Sequence, residues 1–317
     1  MFLLIILVLM SSMILVFPTH FIDTIFVHGS IDELTMKFVP DLGTKFELPT
    51  NPPPTGRIIE DVHEWVEALN EYLHNGLKDY VERPQWNEER NSRGGESLLA
   101  IQNRPSMWGR SVVCNSFADG GVIHTENALN ERKKALQIAN EQLDPRAFEG
   151  IASNVLDPAP SQWLLDHGIQ RMVVGHKPTG DCAAVLSSKY TGVEIVAVDT
   201  SYSHRKDLKE SYKRFGDSRG DAIALVEIVG NEECNRLESF GVLACCNEYR
   251  NYYPMLNRSK LSEEFNDIGD PYLGRQLPSG WWVKASTEAS NYHLCRGTGR
   301  LVEYCSRPIN EVKSELD

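Results

Sequence analysis

The sequence lacks the cysteine patterns that mark a structural zinc site or a disulfide framework. Its seven cysteines are irregularly spaced, with no Cys-x-x-Cys pair and no Cys/His arrangement typical of zinc. Only Cys245 and Cys246 are adjacent. We therefore expect reduced thiols, most of them buried.

The chain also lacks an excess of basic residues. It carries 32 Lys and Arg against 44 Asp and Glu, a net charge of −12 spread along the sequence. This balance argues against a nucleic-acid backbone as the main partner. With 41% hydrophobic and 24% charged residues, the composition is that of a globular chain with a sizeable core. A phosphate-bearing substrate would need a local positive charge.

Basic residues are missing around the apolar N-terminal segment as well. From Phe2 to Phe17 only Ser11 and Ser12 are polar. A signal peptide usually starts with positive charge, and a membrane-spanning helix needs about 20 apolar residues, so the segment matches neither description fully. Residues 1–18 therefore have three interpretations: a signal or membrane anchor, a misplaced start of the sequence, or a core helix. The first makes the chain membrane-associated, and the others leave it cytoplasmic.

Apolar periodicity predicts an α/β first part. A buried strand is expected over Asp23–Val27, before a surface loop that includes Pro52–Pro54. An amphipathic helix follows from Ile59, because apolar residues recur every three or four positions. They are Val62, Val66, Leu69, Leu73, Leu77 and Tyr80. A second helix is predicted over 125–143, before Pro145.

Further strands are predicted in the second half. A short helix should end at Gly168 and lead into a buried strand over Arg171–Val174. Strands are also expected over Val193–Val198 and Ala222–Val229. From Pro271 onward, aromatic residues among Gly and Pro turns suggest a small terminal β-unit.

Four segments of this sequence carry a resemblance. Phe26-Val27-His28-Gly29-Ser30 and Val174-Gly175-His176-Lys177-Pro178-Thr179-Gly180 are similar to the last two motifs of the calcineurin-like metallophosphoesterase superfamily. Ala197–Ser203 and Gly280–Lys284 resemble a microbial eukaryotic branch of it. The succession of strand-His-Gly, strand-Gly-His-x-Pro and strand-Asp-Thr is fairly specific, and the resemblance extends from Asp23 to Tyr304.

The resemblance implies a fold and a chemistry. The fold would be an α/β calcineurin-like β-sandwich with flanking helices, incomplete at the N-terminus. Residues 19–230 would form a partial phosphoesterase domain and 231–317 a β-rich C-terminal extension. The activity would be hydrolysis of a phosphate ester, of phosphoprotein or nucleotide type, at a binuclear centre of Mn, Fe or Zn.

The resemblance also implies roles for four residues. His28 and His176 would each give a ring nitrogen to the same metal. Asp199 would accept a hydrogen bond from a ligand histidine or cap a turn. Arg110 would hold a substrate phosphate as a fork donor or serve as a structural or solvated arginine.

The sequence departs from the family pattern upstream of His28. The family's Asp-x-His, Gly-Asp-x-x-Asp and Gly-Asn-His-Asp/Glu segments do not occur there. Pro178 replaces the second His of a fuller Gly-His-x-His motif, a mark of some branches. Two hypotheses follow: a metal-dependent phosphoesterase truncated in this sequence, or a non-catalytic, membrane-tethered binding remnant.

Overall fold

In the computed structural model, the described residues are 15–16, 23–27, 31, 36–43, 55–100, 103, 158–175, 182–187, 193–198, 223–230, 235–243, 248–253, 270, 272–273, 275, 277–287, 290–298 and 301–317. In chain order, their elements are β1 (Leu15–Val16), β2 (Thr24–Val27), β3 (Phe38–Pro40), β4 (Gly56–Ile58), α1 (Val62–Glu82), α2 (Glu96–Leu99), α3 (Pro158–Asp166), β5 (Arg171–Val174), β6 (Ala184–Ser187), β7 (Glu194–Ala197), β8 (Ile223–Gly230), β9 (Asn235–Val242), β10 (Glu248–Tyr253), β11 (Trp282–Thr287), β12 (Asn291–Thr298), β13 (Leu301–Pro308) and α4 (Ile309–Leu316).

The first sheet is mixed, with strand order β1-β2-β5-β7-β6. Strands β2, β5 and β7 run parallel to one another, while β1 and β6 pair antiparallel at the two edges. Every residue of β2, β5 and β7 is buried. Burial on both faces is typical of parallel strands that are covered by other layers, and it explains their continuous apolar sequences.

Helices α1 and α3 cover one face of this sheet. Ile25, Met172 and Ile195 lie opposite one another on the three parallel strands and pack in one cluster with Trp65 of α1 and Trp163 of α3. The two indole rings meet edge to face, with centroids 5.3 Å apart. Such aromatic pairs contribute about 0.5–1.5 kcal/mol beyond the area they bury.

The second sheet is an antiparallel meander of six strands, β8 to β13 in sequential order. Because side chains alternate along a strand, Phe26, Val173 and Val196 point away from the helices, and they pack against Ile228 and Leu237 of this second sheet. The two sheets therefore lie face to face.

Helix α4 covers part of the opposite face of the second sheet. Its buried Val312 packs with Val283 and Leu294. The adjacent residues Trp282 and Cys295 belong to the core around the first sheet instead. The described elements thus form successive layers of helix, sheet, sheet and helix, which is a mixed α/β architecture.

The strand predictions are largely confirmed. The strand over Arg171–Val174 has its predicted bounds, and β2, β7 and β8 lie within a residue of theirs. The turn after α3 contains Gly168 with φ of +80°, a left-handed conformation that favours glycine. The helix predicted over 125–143 lies outside the described residues. Residue 230, the predicted domain boundary, falls between β8 and β9, which pair within one sheet.

Helix α1 is confirmed, but its apolar stripe is only partly buried. Val62, Val66 and Leu69 are buried, whereas Leu77 and Tyr80 near the end of the helix are 51% and 47% exposed. The predicted apolar face of the helix thus extends beyond the part that packs against the core. The N-terminal part of the helix packs over the sheet, while at its C-terminal end Tyr80 contacts the turn at Gly95 instead.

Two further findings concern cysteine and the membrane. Among the described cysteines, Cys182 and Cys295 are buried and Cys305 is partly buried, and none of the three forms a disulfide. Within the described ranges, no helix has the length and apolar character needed to cross a bilayer. Apart from Leu15 and Val16, the apolar segment Phe2–Phe17 lies outside those ranges.

Candidate functional site

The carboxyl ends of three parallel strands meet at one edge of the first sheet. Val27 of β2 lies opposite Val174 of β5, which lies opposite Ala197 of β7. One residue later, the N–H of Val198 donates to the carbonyl of Val174 over 2.9 Å, so the ladder continues past β7. In sheets of this kind, ligands bind in the crevice beyond the carboxyl ends of the strands.

The same register is fixed at the opposite, amino end of the strands. The carbonyl of Asp23 accepts hydrogen bonds from the N–H groups of Gln170 and Arg171, and the N–H of Glu194 donates to the carbonyl of Gln170, each over 2.9 Å. These contacts align the starts of β2, β5 and β7. Because the three strands have equal length, their carboxyl ends are aligned as well.

A buried ion pair reinforces this alignment. The Nε of Arg171 donates to Oε1 of Glu194 over 2.7 Å, with the arginine side chain fully buried and the glutamate side chain 10% exposed. A charge-assisted hydrogen bond between neighbouring strands tolerates little slippage. The ion pair lies at the amino ends of β5 and β7, whereas the predicted ligands follow the carboxyl ends of the strands.

Two tryptophan N–H groups of the covering helices donate to backbone carbonyls, one in β3 and one just before α1. Nε1 of Trp65 donates to the carbonyl of Phe38 over 3.0 Å, and Nε1 of Trp163 donates to the carbonyl of Glu60 over 2.6 Å. Trp65 and Trp163 therefore tie hairpin β3–β4 and the start of α1 to the core. This fixes the layer above the first sheet.

Asp61 caps the N-terminus of α1 and lies close to His167, the residue after α3. Its side chain accepts hydrogen bonds from the N–H groups of His63 and Glu64, and Oδ2 lies 3.5 Å from Nε2 of His167. The hydrogen bond from the Glu64 N–H is the main cause that lowers the pKa of this carboxyl, and the nearby histidines add to it. This local cluster is accounted for by helix capping.

The predicted site residues His28, Arg110, His176 and Asp199 lie outside the described residues. The described strands nevertheless lead directly to three of them: β2 ends one residue before His28, β5 two residues before His176, and β7 two residues before Asp199. All three predicted site residues thus follow strands whose carboxyl ends are aligned at one edge of the sheet. Arg110 has no described element next to it.

The two predicted ligands, His28 and His176, suit Zn and Fe, because imidazole is a ligand type that both metals take. Among the described residues alone, no group of three or more His, Cys, Asp or Glu side chains is placed to hold a metal. The Mn, Fe or Zn site remains a prediction that depends on residues after the strand ends.

Comparison with protein-family models, curated proteins and solved structures finds no match to this chain.

The sequence analysis missed the part of the structure that aligns the strands. The apolar pattern predicts Arg171 as the first residue of a strand but does not predict its ion pair with Glu194. One signal was present in the sequence. Each of the two charged residues stands at the start of a strongly apolar run, and burying a charge without a partner is costly.

Proposed function

We propose that this chain belongs to a metal-dependent phosphoesterase and supplies one side of its metal centre, with His28 and His176 as ligands of one metal ion. The observation that carries the proposal is the common register of Val27, Val174 and Ala197 at the carboxyl edge of three parallel strands. Strands this well aligned are rigid supports for the residues that follow them.

The packing on both faces of the sheet supports the same proposal. Helices α1 and α3 cover one face and the second sheet covers the other, through the clusters around Trp65 and Phe26. A calcineurin-like sandwich places two sheets together between helices in this way. The finer fold assignment is therefore part of the proposal.

Each predicted residue has a specific task in this proposal. Two neutral imidazoles from neighbouring strands bind the metal, and Asp199 accepts a ring N–H and so fixes the orientation of one of them. The bound metal lowers the pKa of a water molecule and stabilises charge on the phosphoryl oxygens. Arg110 binds a phosphate oxygen of the ester, in a chain whose net charge of −12 otherwise repels such a substrate.

The experiment is metal analysis combined with a phosphatase assay. The purified full chain is analysed for Mn, Fe and Zn by mass spectrometry, and hydrolysis of p-nitrophenyl phosphate is followed with added Mn²⁺. We expect bound metal and turnover in the parent chain, and loss of both in His28→Ala and His176→Ala. Changing a residue that only supports a ligand typically lowers metal affinity by about 10- to 100-fold. Loss of a ligand histidine itself should therefore lower it by at least about tenfold.

His74→Ala is the matched control, because His74 is exposed on α1, far along the chain from the strand ends. It should keep the metal content and the rate of the parent. If the parent chain binds no metal and has no turnover, the proposal fails and the alternative of a non-catalytic binding remnant is favoured. If His74→Ala loses as much metal as the two other variants, the assignment of His28 and His176 fails.

A further inference from the structure

Helix capping accounts for the position of Asp61 but not for the ring of His167 beside it. Nδ1 of His167 lies 2.8 Å from the carbonyl oxygen of Trp163, and Nε2 lies 3.5 Å from Oδ2 of Asp61. Carbonyl and carboxylate oxygens are both hydrogen-bond acceptors. Each ring nitrogen of His167 therefore faces an acceptor, one on α3 and one at the start of α1.

The protonation state of the ring decides whether both acceptors have a donor. A neutral imidazole carries one N–H, whereas an imidazolium carries two. When Nδ1–H donates to the carbonyl of Trp163, the neutral ring turns the lone pair of Nε2 toward the carboxylate of Asp61. A second proton, on Nε2, replaces this repulsion between two acceptors with a contact between opposite charges.

The surroundings of the ring favour its charged form. The N–H of Glu64 is the main cause that lowers the pKa of the Asp61 carboxyl, which is therefore ionised at neutral pH. The carbonyl of Trp163 lies in the last turn of α3, where the helix dipole stabilises cations. The N–H of His167 itself donates to the carbonyl of Leu164. The ring of His167 thus serves as the donor to the carbonyl of Trp163.

Other charged side chains stand on the segments next to this contact. They are Asp23, Lys37, Glu60, His63, Glu64 and Asp166. Glu60 pairs with Lys37 over 2.6 Å, and Asp166 accepts a hydrogen bond from Gln162 over 2.7 Å. In the described part of the chain, Asp61 is the acidic residue whose carboxylate pairs with the His167 ring.

We propose that His167 is a proton-dependent clamp, whose imidazolium ring joins the N-terminus of α1 to the C-terminus of α3 at mildly acidic pH. The clamp holds together the two helices that cover the first sheet, next to the edge-to-face contact of Trp65 with Trp163. His167 precedes the amino end of β5, so the clamp is separate from the predicted metal ligands.

The expected pH dependence follows from the two charges. The contact stabilises the folded chain where the ring is protonated and Asp61 is ionised, and it is lost as pH rises and the ring gives up its second proton. Histidine ordinarily titrates near pH 6.5, so the useful range is about pH 5 to pH 8. Because the side chains of His167 and Asp61 are 25% and 43% exposed, water screens the pair and the effect is modest.

The test compares the full chain with His167→Gln in urea unfolding between pH 5 and pH 8. Glutamine keeps an N–H donor but cannot take up a proton. The ratio of folded to unfolded chain, parent over variant, should be about two- to fivefold larger at pH 5 than at pH 8. His63→Gln is the matched control, because His63 is exposed in the first turn of α1 and gives Asp61 only its backbone N–H. It should leave this pH dependence unchanged.

Asp61→Asn tests the other half of the clamp. It keeps a capping oxygen and removes the charge, so in this background His167→Gln should have the same effect at pH 5 and pH 8. Nitrogen-15 spectra of the parent chain need no variant: both ring nitrogens of His167 should be protonated at pH 5, and only Nδ1 at alkaline pH. A pH-independent effect of His167→Gln, an equal loss in His63→Gln, or a neutral ring protonated at Nε2 would each overturn the proposal.

Discussion

Arg171 and Glu194 form a buried ion pair at the amino ends of β5 and β7, with 2.7 Å between Nε and Oε1. Removing one partner would leave the other charge buried without its counterion, which typically costs about 3–5 kcal/mol. We expect Glu194→Gln to lower the free energy of unfolding in urea by an amount of this order. The loss should accompany weaker retention of metal, because the pair aligns the strands that lead to His176 and Asp199.

A double-mutant cycle checks that the effect comes from the pair. Replacing both residues, as Arg171→Met with Glu194→Met, removes both charges. The double variant should lose less stability than the sum of the losses in Arg171→Met alone and Glu194→Met alone. Glu60→Gln serves as the control, since the Lys37–Glu60 pair has a similar distance of 2.6 Å but a glutamate side chain that is 76% exposed. It should change stability by at most about 1 kcal/mol. Additive single effects would contradict the assigned role.

Local patterns in the sequence predict the elements that build this fold but not their pairing. The β-branched run of Arg171–Val174 and the apolar stripe of α1 are local signals, and both elements form where they were predicted. The pairing of Thr24 with Arg171 joins positions far apart in the chain. No periodicity encodes such a contact, because it depends on the helices and the second sheet that cover the strands.

The same reasoning explains what could be predicted of the candidate site. The order of strand-His and strand-Gly-His segments suggested that His28 and His176 share a metal, and the parallel register of β2 and β5 is compatible with that hypothesis. Arg110 lacked such support, because no strand or helix with a clear pattern precedes it. The exposure of Leu77 at 51% also escaped prediction, since periodicity gives the apolar face of a helix but not how far its cover extends.

Gly94 provides a test of close packing at the end of α1. A Cβ atom at this position would lie 1.9 Å from the carbonyl oxygen of Asp79 and 2.8 Å from the Cα of Tyr80, both backbone atoms. Overpacking usually costs about 1–3 kcal/mol, and a helix backbone yields less than a side chain. We expect Gly94→Ala to lower the unfolding free energy by about 3 kcal/mol, measured by urea denaturation.

Gly43→Ala is the matched control for that change. Apart from its two chain neighbours, no described residue has an atom within 4 Å of a Cβ at Gly43, so the substitution should alter stability by about 1 kcal/mol or less. Equal losses in the two variants would show that the contact with Asp79 does not determine the effect.

Asp61 makes stability depend on acid pH. Hydrogen bonds from the N–H groups of Glu64 and His63 lower the pKa of its carboxyl in the folded chain. The stabilisation is therefore present above the unfolded pKa of about 3.9 and is lost as pH falls through the lower folded value. Asp61→Asn keeps an N-cap acceptor but removes the charge. Urea unfolding should show the parent more stable than Asp61→Asn at pH 6, with the difference shrinking as the pH falls below about 3.9; a difference that does not change with pH would contradict this origin.

Tyr292 makes stability depend on alkaline pH with the opposite sign. Its hydroxyl donates to Oδ2 of Asp270 over 2.7 Å, and burial, followed by this contact, raises the pKa of the phenol above its ordinary value. A raised folded pKa stabilises the folded chain fully below the unfolded pKa of about 10 and progressively less above it. Tyr292→Phe cannot ionise and loses only the hydrogen bond, about 1 kcal/mol at pH 7. The stability advantage of the parent over Tyr292→Phe should therefore shrink between pH 9 and pH 11.5 in urea unfolding. A stability advantage that stays constant over this range would mean that the buried contact with Asp270 is not responsible.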